Sequence, residues 1–231
     1  MQLFYSAKPE GNNLHLDEEE TRHAIQVLRK SVGDELHLCD GEGHLYLGRI
    51  RSFTKKVTEL ELLETQFYEK RKARLHLVVA PTKNMDRVEW MLEKCVEIGL
   101  EELSFIQCAH SERKVLKMDR LEKIQLSAAK QSSAWHFTKI NPMVSFKEFL
   151  QQPHAEHRYI ASLDGQEIQW STSLKPAESS LVLIGPEGDF STEELQLAKA
   201  QQFQTLSLGN KRLRTETAGV QTAAWFSLFH G

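Results

Sequence analysis

The stretch Leu183-Ile-Gly-Pro-Glu-Gly-Asp-Phe-Ser-Thr-Glu-Glu194 decides the fold. Just before it, Ser180-Leu-Val-Leu-Ile184 is a continuous apolar run, the pattern of a central strand covered on both faces. At its end, Ser191-Thr-Glu-Glu194 has the S-x-x-E spacing of a capping box, so a helix begins there. The glycine loop therefore joins the carboxyl end of a buried strand to a helix start. In open α/β sheets ligands bind at that place, because the strand ends leave a crevice and the helix offers unpaired amides. Taken alone, the loop reads equally well as a tight turn chosen for its backbone angles.

Working outward, the chain from Arg74 alternates strand and helix. Leu75-His-Leu-Val-Val-Ala80 is a strand ended by Pro81. Asp86 to Ile98 is a helix with apolar positions at Val88, Met91, Leu92, Cys95 and Val96, opened by a D-x-x-E cap at Asp86 and Glu89 and closed by Gly99. Leu103–Ile106, Arg158–Leu163 and Thr205–Leu208 are further strands, and Arg120–Gln131 a further helix. The last helix, Glu216–Phe229, is apolar on most sides, so it is expected to be buried on several faces, within the domain or against a second subunit. The alternation implies an α/β class with a largely parallel sheet. A second strand ends in glycine at Leu206-Ser-Leu-Gly209 and leads through Asn210-Lys-Arg-Leu-Arg214 into the last helix. Two such loops can line one crevice. Neither is a Walker loop or a dinucleotide fingerprint.

The first 72 residues differ. Leu36–Asp40, Leu45–Ile50 and Val57–Leu62 are short alternating segments, with a hairpin signal at Asp40-Gly-Glu-Gly43. Glu18–Lys30 supplies one helical segment with apolar residues at Ala24, Val27 and Leu28. A small β-barrel domain over 1–72 is expected, followed by a second domain over 73–231. Gly41, Gly43 and Gly48 are read as turn glycines.

Composition sets outer bounds. The 231 residues are 40% hydrophobic and 26% charged, ordinary for a globular protein. No apolar run approaches the roughly 20 residues of a membrane helix, and the N-terminus lacks signal-peptide features, so a cytoplasmic location without membrane contact is expected. Cys39, Cys95 and Cys108 fit no zinc spacing and are expected to be reduced and buried, with no metal bound. The net charge of −3 does not advertise a polyanionic partner. Yet Lys70-Arg-Lys-Ala-Arg74 places four cations in five residues, and Arg113, Lys114, Lys117 and Lys211, Arg212, Arg214 form two more groups. Such runs are either solvated faces or a localised surface for nucleic acid.

The motifs carry a family resemblance. "GPEG" before a capped helix, "LGNKRLRTETAG" opening the last helix, "EKCVEIGLEELSF" and "SERK" resemble the 16S ribosomal RNA uridine-N3 methyltransferases of the SPOUT class. "RHAIQVLRKSVGDELHLCDGEG" is similar to the PUA-like RNA-binding barrel of that family. The resemblance spans nearly the whole chain. It implies S-adenosylmethionine as methyl donor, a trefoil knot in the C-terminal domain, a homodimer sharing its active sites, and the 16S rRNA of the small ribosomal subunit as partner. The chain departs from the family pattern at Asp189, where a second glycine is common, and after Gln131 in "AAKQSSAW", where a basic residue is common.

Methylating N3 of uridine requires an imide proton to leave while negative charge builds on the flanking carbonyls. Arg214 is the first choice to stabilise that charge, and the alternative is a structural pairing with Glu187 or Glu216. Glu216 is read as base or orienter, with capping or salt bridging as the alternative. The resemblance assigns the cofactor to Leu163, Ile184, Gly185, Pro186, Glu187, Gly188, Leu208, Gly209 and Leu213, through main chain and apolar contact with adenine. RNA contacts are expected from Arg22, Arg29, Lys30, Arg71, Lys72, Arg113 and Lys114. His23, His110 and His136 receive no role. Two other readings stay open: a noncatalytic RNA- or ribosome-binding protein, and a binder of some other adenine-containing ligand.

Overall fold

A computed structural model describes residues 2–155, 157–162, 168–169 and 178–230. The chain divides into two compact units, Met1–Lys70 with Leu126–Phe137, and Arg71–Gln125 with Thr138–Gly231.

The first unit is built on β1 (Leu3–Tyr5), β2 (Asn13–Leu16), β3 (Glu35–Cys39), β4 (His44–Phe53) and β5 (Thr58–Phe67). Hydrogen bonding orders them β1-β3-β4-β5-β2, with β1 parallel to β3 and the other pairs antiparallel. The expected barrel is thus, by pairing, a five-stranded sheet with β1 and β2 at its ends. Alternation puts Leu36, Leu38, Tyr46, Ile50 and Leu60 into one core with Phe4 and Ala24. The β3–β4 turn is fixed by Asp40, whose carboxylate accepts the amides of Glu42 at 2.8 Å and His44 at 3.2 Å. Burial raises the Asp40 pKa, but these bonds and that of the Tyr46 hydroxyl outweigh it and hold the group below its usual range.

Two expectations in this unit are corrected. Glu18–Lys30 is not one α-helix: α1 (Glu18–Thr21), capped by Asp17, passes into a π-helical turn over Arg22–Val27. The Leu28 amide reaches back five residues to the His23 carbonyl at 3.0 Å, the wider bond that defines such a turn. Gly48 lies inside β4, where the register shifts between Leu47 and Gly48 and Leu14, Leu38 and Leu60 crowd the missing Cβ, so it serves a bulge and not a turn. Leu126–Phe137 groups with this unit because the Gly43 amide donates to the Trp135 carbonyl at 2.8 Å, Phe137 donates to Gly41 at 2.8 Å, and Trp135 stacks on Tyr68 at 4.9 Å.

The second unit holds β6 (Leu75–Val79), α2 (Met85–Ile98), β7 (Glu102–Gln107), α3 (Met118–Ser132, shared with the first unit), β8 (Lys139–Ser145), α4 (Phe146–Leu150), β9 (His157–Ala161), β10 (Ile168–Gln169), β11 (Ser180–Ile184), α5 (Thr192–Ala200), β12 (Gln204–Ser207) and α6 (Thr215–His230). The sheet order is β10-β12-β9-β11-β6-β7-β8, all parallel. β11, buried at all five positions, lies between β9 and β6. That is why its sequence is apolar without alternation. The cap of α2 is Asn84 and not Asp86: the Asn84 side chain accepts the Asp86 amide at 2.9 Å, and Asp86 occupies the first turn. Gly99 ends the helix with φ of 91°, a left-handed conformation open to glycine. The α5 capping box is complete. α6 packs on α2 closely enough that a Cβ on Gly219 would meet Met91 Sδ at 2.7 Å, while Leu228 and Phe229 at its end are exposed.

Candidate active site

β9, β11 and β12 are parallel neighbours, so their carboxyl ends emerge along one edge of the sheet. There Ala161 at the end of β9 and Ser162 after it, Gly185-Pro-Glu after β11, and Leu208 and Gly209 after β12 line one groove with Leu213 and Ala218. This is the crevice that open parallel sheets offer to ligands. Its walls are aliphatic at Ile184, Leu206, Leu208 and Leu213, and its rim carries Glu187, Asp189, Lys211 and Arg212.

The start of α6 holds the two loops together. Thr215, 6% exposed, donates its hydroxyl to the Gly185 carbonyl at 2.9 Å. Gln221, less than two turns on, donates Nε2 to the Leu208 carbonyl at 2.7 Å. Arg212 donates Nη2 to the Glu187 carbonyl at 3.2 Å, bridging the second loop to the first. The first two bonds satisfy strand-end carbonyls that the sheet leaves without a partner, and the third satisfies a carbonyl of the loop after β11. The first loop is tied further: Glu194 accepts the Ser191 amide at 2.9 Å and the Ala109 amide at 2.8 Å, and His110 Nδ1 bonds to the Asp189 carbonyl at 3.0 Å. Asp189 has φ of 63°, a left-handed conformation that aspartate tolerates better than most residues, and its carboxylate accepts the Phe190 amide at 2.8 Å.

Of the residues expected at the cofactor, Ile184, Gly185, Pro186, Glu187, Leu208, Gly209 and Leu213 line the groove. Gly188 does not: a Cβ there would lie 2.9 Å from His110 Cβ, so its smallness serves packing against that residue. Leu163 lies outside the described residues. Arg214 is exposed beside the groove without lining it, and Glu216 is buried with one oxygen 3.6 Å from Arg87, so neither expected pairing of Arg214 with Glu187 or Glu216 forms. Asp189, Lys211, Arg212 and Thr215 line the groove and were not assigned to it from the sequence. All four lie in the two motif loops, which is the signal that marks them.

Two of the cations expected on RNA are engaged elsewhere. Arg71 donates Nε to Glu101 at 2.7 Å and Nη2 to the Gly99 carbonyl at 2.9 Å, with its guanidinium over the Phe226 ring. Arg113 donates to the carbonyls of Thr82 and Lys83. Arg22, Arg29, Lys72 and Lys114 are exposed, and Lys30 is half-buried. Among the described residues no group of His, Cys, Asp and Glu could hold a metal ion, and no helix is long and apolar enough to cross a membrane. All three cysteines are free and buried, and burial pushes the Cys39 and Cys95 thiols up to about 12.

A parallel α/β unit with an aliphatic, glycine-edged groove at its strand ends, joined to a unit built on a small mixed sheet, defines a two-part protein with a small-ligand site in its larger part. Residues 69–227 match the model of the RNA methyltransferase domain, and residues 16–61 match that of the RNA methyltransferase PUA domain. The chain belongs to the RNA methyltransferase family.

It is similar to ribosomal RNA small subunit methyltransferase E of Aquifex aeolicus, 28% identical over 229 residues that cover 95% of this chain and 96% of the relative. Among solved structures, a Porphyromonas gingivalis protein described as a probable rRNA methyltransferase superposes with a TM-score of 0.91 at 36% identity, covering 100% of this chain and 98% of its own. Ribosomal RNA small subunit methyltransferase E of Neisseria gonorrhoeae, solved with bound S-adenosylmethionine, gives a TM-score of 0.87 at 25% identity, covering 99% and 97%.

Proposed function

We propose that this protein transfers the methyl group of S-adenosylmethionine to N3 of a uridine in the 16S rRNA of the small ribosomal subunit. The single observation that carries the reading is the groove at the carboxyl ends of β9, β11 and β12, built from the two glycine loops. Its residues suit this cofactor. Ile184, Leu208 and Leu213 offer apolar faces to an adenine, Gly209, with no neighbour on its side-chain side, allows close approach, and the charged rim complements an amino-acid end. When bound, the cofactor supplies an electrophilic methyl group on a sulfonium.

The chain's own work is then to bind, to align and to stabilise charge. Thr215, Gln221 and Arg212 hold the loops in register, which fixes the line of approach to the methyl carbon. Arg214, exposed at the entry to α6, is the donor for the negative charge that develops on the pyrimidine carbonyls as the N3 proton leaves. Glu216, with one carboxylate oxygen 3.6 Å from Arg87, acts as base or as orienter of the helix start.

In this reading the chain works in the cytoplasm as a homodimer sharing its active sites, and the exposed apolar side chains of Trp90, Leu228 and Phe229 support a partner surface on the second unit. The PUA-like domain, 1–72, contributes RNA contacts through Arg22, Arg29, Lys30 and Lys72, and the methyltransferase domain, 73–231, adds Lys114. The insertion of β11 between β9 and β6 supports a trefoil-knotted path through the latter domain. Calorimetry with S-adenosylmethionine, then methyl transfer to small-subunit rRNA and mass mapping of the product, tests the reading. Micromolar binding and one methylated uridine are expected. RNA affinity without cofactor binding would make the protein a noncatalytic binder instead.

A further inference from the structure

A second cavity lies in the first unit, between the π-helical turn and the tip of the β4–β5 hairpin. Thr21, Ile25 and Gln26 line one side, and Phe53, Thr54 and Lys55 the other. The tip is rigidly built: Thr54 donates its amide to the Val57 carbonyl at 2.8 Å, and its hydroxyl oxygen accepts the Lys56 and Val57 amides, both at 3.1 Å. That closure holds Phe53 at the mouth, 41% exposed, with Val27 and Val57 also exposed nearby in the same two segments. Burying these exposed apolar side chains against a ligand would release hydrophobic free energy that the folded unit alone leaves unused.

Residues 22–30 and 51–57 contain six Lys and Arg and no Asp or Glu, while Glu18–Glu20 precede Thr21 and Glu59, opposite Ser52, accepts its hydroxyl at 2.8 Å. Arg51 pairs with Glu61. Arg22, Arg29, Lys30, Lys55 and Lys56 have no carboxylate partner among the described residues. Cations beside an exposed aromatic ring match a single nucleic-acid strand, which offers phosphates and an unstacked base together.

We infer that this cleft binds single-stranded RNA, one base stacking on Phe53 against Ile25, with Lys55 and Lys56 on the flanking phosphates. The inference rests on the reading that the substrate is RNA, and it assigns the contact to a hairpin tip that the motif resemblance does not touch. Base stacking on an aromatic residue is lost on truncation, so Phe53→Ala weakens binding roughly tenfold to hundredfold, while Phe53→Trp keeps it. Replacing Lys55 and Lys56 with Gln flattens the slope of log affinity against log salt by about 1.4, since each phosphate contact on a single strand contributes about 0.7.

The test is fluorescence anisotropy of the full chain with a uridine-rich oligonucleotide of about 12 nucleotides, within the usual site size of single-strand binders. S-adenosylmethionine affinity and the melting temperature are read on the same samples, and both stay at parental values because the tip is exposed. Phe53→Ala binding the oligonucleotide within twofold of the parent overturns the cleft, as does an unchanged salt slope in the double Gln variant. If Phe53→Ala loses methylation of assembled subunits while keeping full oligonucleotide affinity, the face meets a protein and the inference fails. A parent that binds the oligonucleotide through Phe53 but takes up no S-adenosylmethionine sinks the methyltransferase reading and leaves the cleft standing.

Discussion

Thr215→Val tests the architecture of the groove most directly. Valine keeps the shape of threonine but removes the hydroxyl, and Thr215 is 6% exposed, so little else changes at the site. The lost bond leaves the Gly185 carbonyl, half-buried at the end of β11, without its partner at 2.9 Å. Leaving a buried acceptor unmade costs about 1–3 kcal/mol, and partial exposure of Gly185 argues for the lower half of that range. For a chain of this length each kcal/mol lowers the melting temperature by about 2–4 °C. The same carbonyl orients the Gly185–Pro186 peptide that lines the groove, so the cost also falls on the liganded state. If loop order is required for binding, affinity for S-adenosylmethionine weakens by about fivefold to thirtyfold, 1.4 kcal/mol being tenfold. Calorimetry of the parent, Thr215→Val and Thr215→Ser measures this. Serine restores the hydroxyl and is expected to recover most of the affinity. A Thr215→Val protein that melts a few degrees lower yet binds the cofactor within twofold of the parent would show that the helix start stabilises the fold without shaping the groove.

Arg214→Ala is expected to lower turnover by roughly a hundredfold to a thousandfold, as losing a preorganised donor does, with cofactor affinity and melting temperature unchanged because the side chain is exposed and outside the groove. Methylation of rRNA at the parental rate removes it from the mechanism and passes the role to Lys211 or Arg212 in the groove rim. Stability should also depend on pH through His76. Burial lowers its pKa from 6.5 to about 4, so the folded state keeps the ring neutral while the unfolded chain takes up a proton. The stabilisation is complete above about pH 6.5 and is lost progressively as pH falls toward about 4, by up to roughly 3 kcal/mol at 1.36 kcal/mol per unit. Melts at pH 7 and pH 4.5 should differ less in His76→Gln than in the parent, and an equal difference would place the acid sensitivity elsewhere.

The parts of the fold legible in the sequence are those where a local pattern and its tertiary setting agree. The apolar run Ser180–Ile184 is a central strand, and Ser191 with Glu194 forms the cap that its spacing implies. The strands that escaped notice are short or at an edge. β1 has three residues and β2 four, too few for alternation to register. β8 carries Pro142, which demotes it as a strand, and the structure reconciles this by placing β8 at the sheet edge, where Pro142 is exposed. The grouping of Leu126–Phe137 with the first unit was illegible because it depends on the Gly43, Gly41 and Tyr68 partners, which belong to a distant part of the chain.

The site divides along a different line. A motif fixes where the backbone turns, so seven of the nine residues assigned to the cofactor line the groove, because these loops present main chain and short apolar side chains. It does not fix where a long side chain goes. Arg212 and Arg214 flank Leu213 in one run of cations, yet Arg212 reaches the Glu187 carbonyl and Arg214 stays outside the groove. Arg71 looked like a phosphate contact until Glu101 and the Gly99 carbonyl, brought to it by the fold, satisfied its guanidinium. Gly188 carries the same lesson for small residues. Its sequence context asks for a missing side chain but cannot say what fills the space, and here the neighbour is His110, which in turn bonds to the Asp189 carbonyl. A glycine in a ligand loop therefore has two physical explanations, close approach by the ligand or by another part of the protein. At Gly188 the second applies, so enlarging that residue would disturb the groove through His110 and Asp189 and not by direct obstruction.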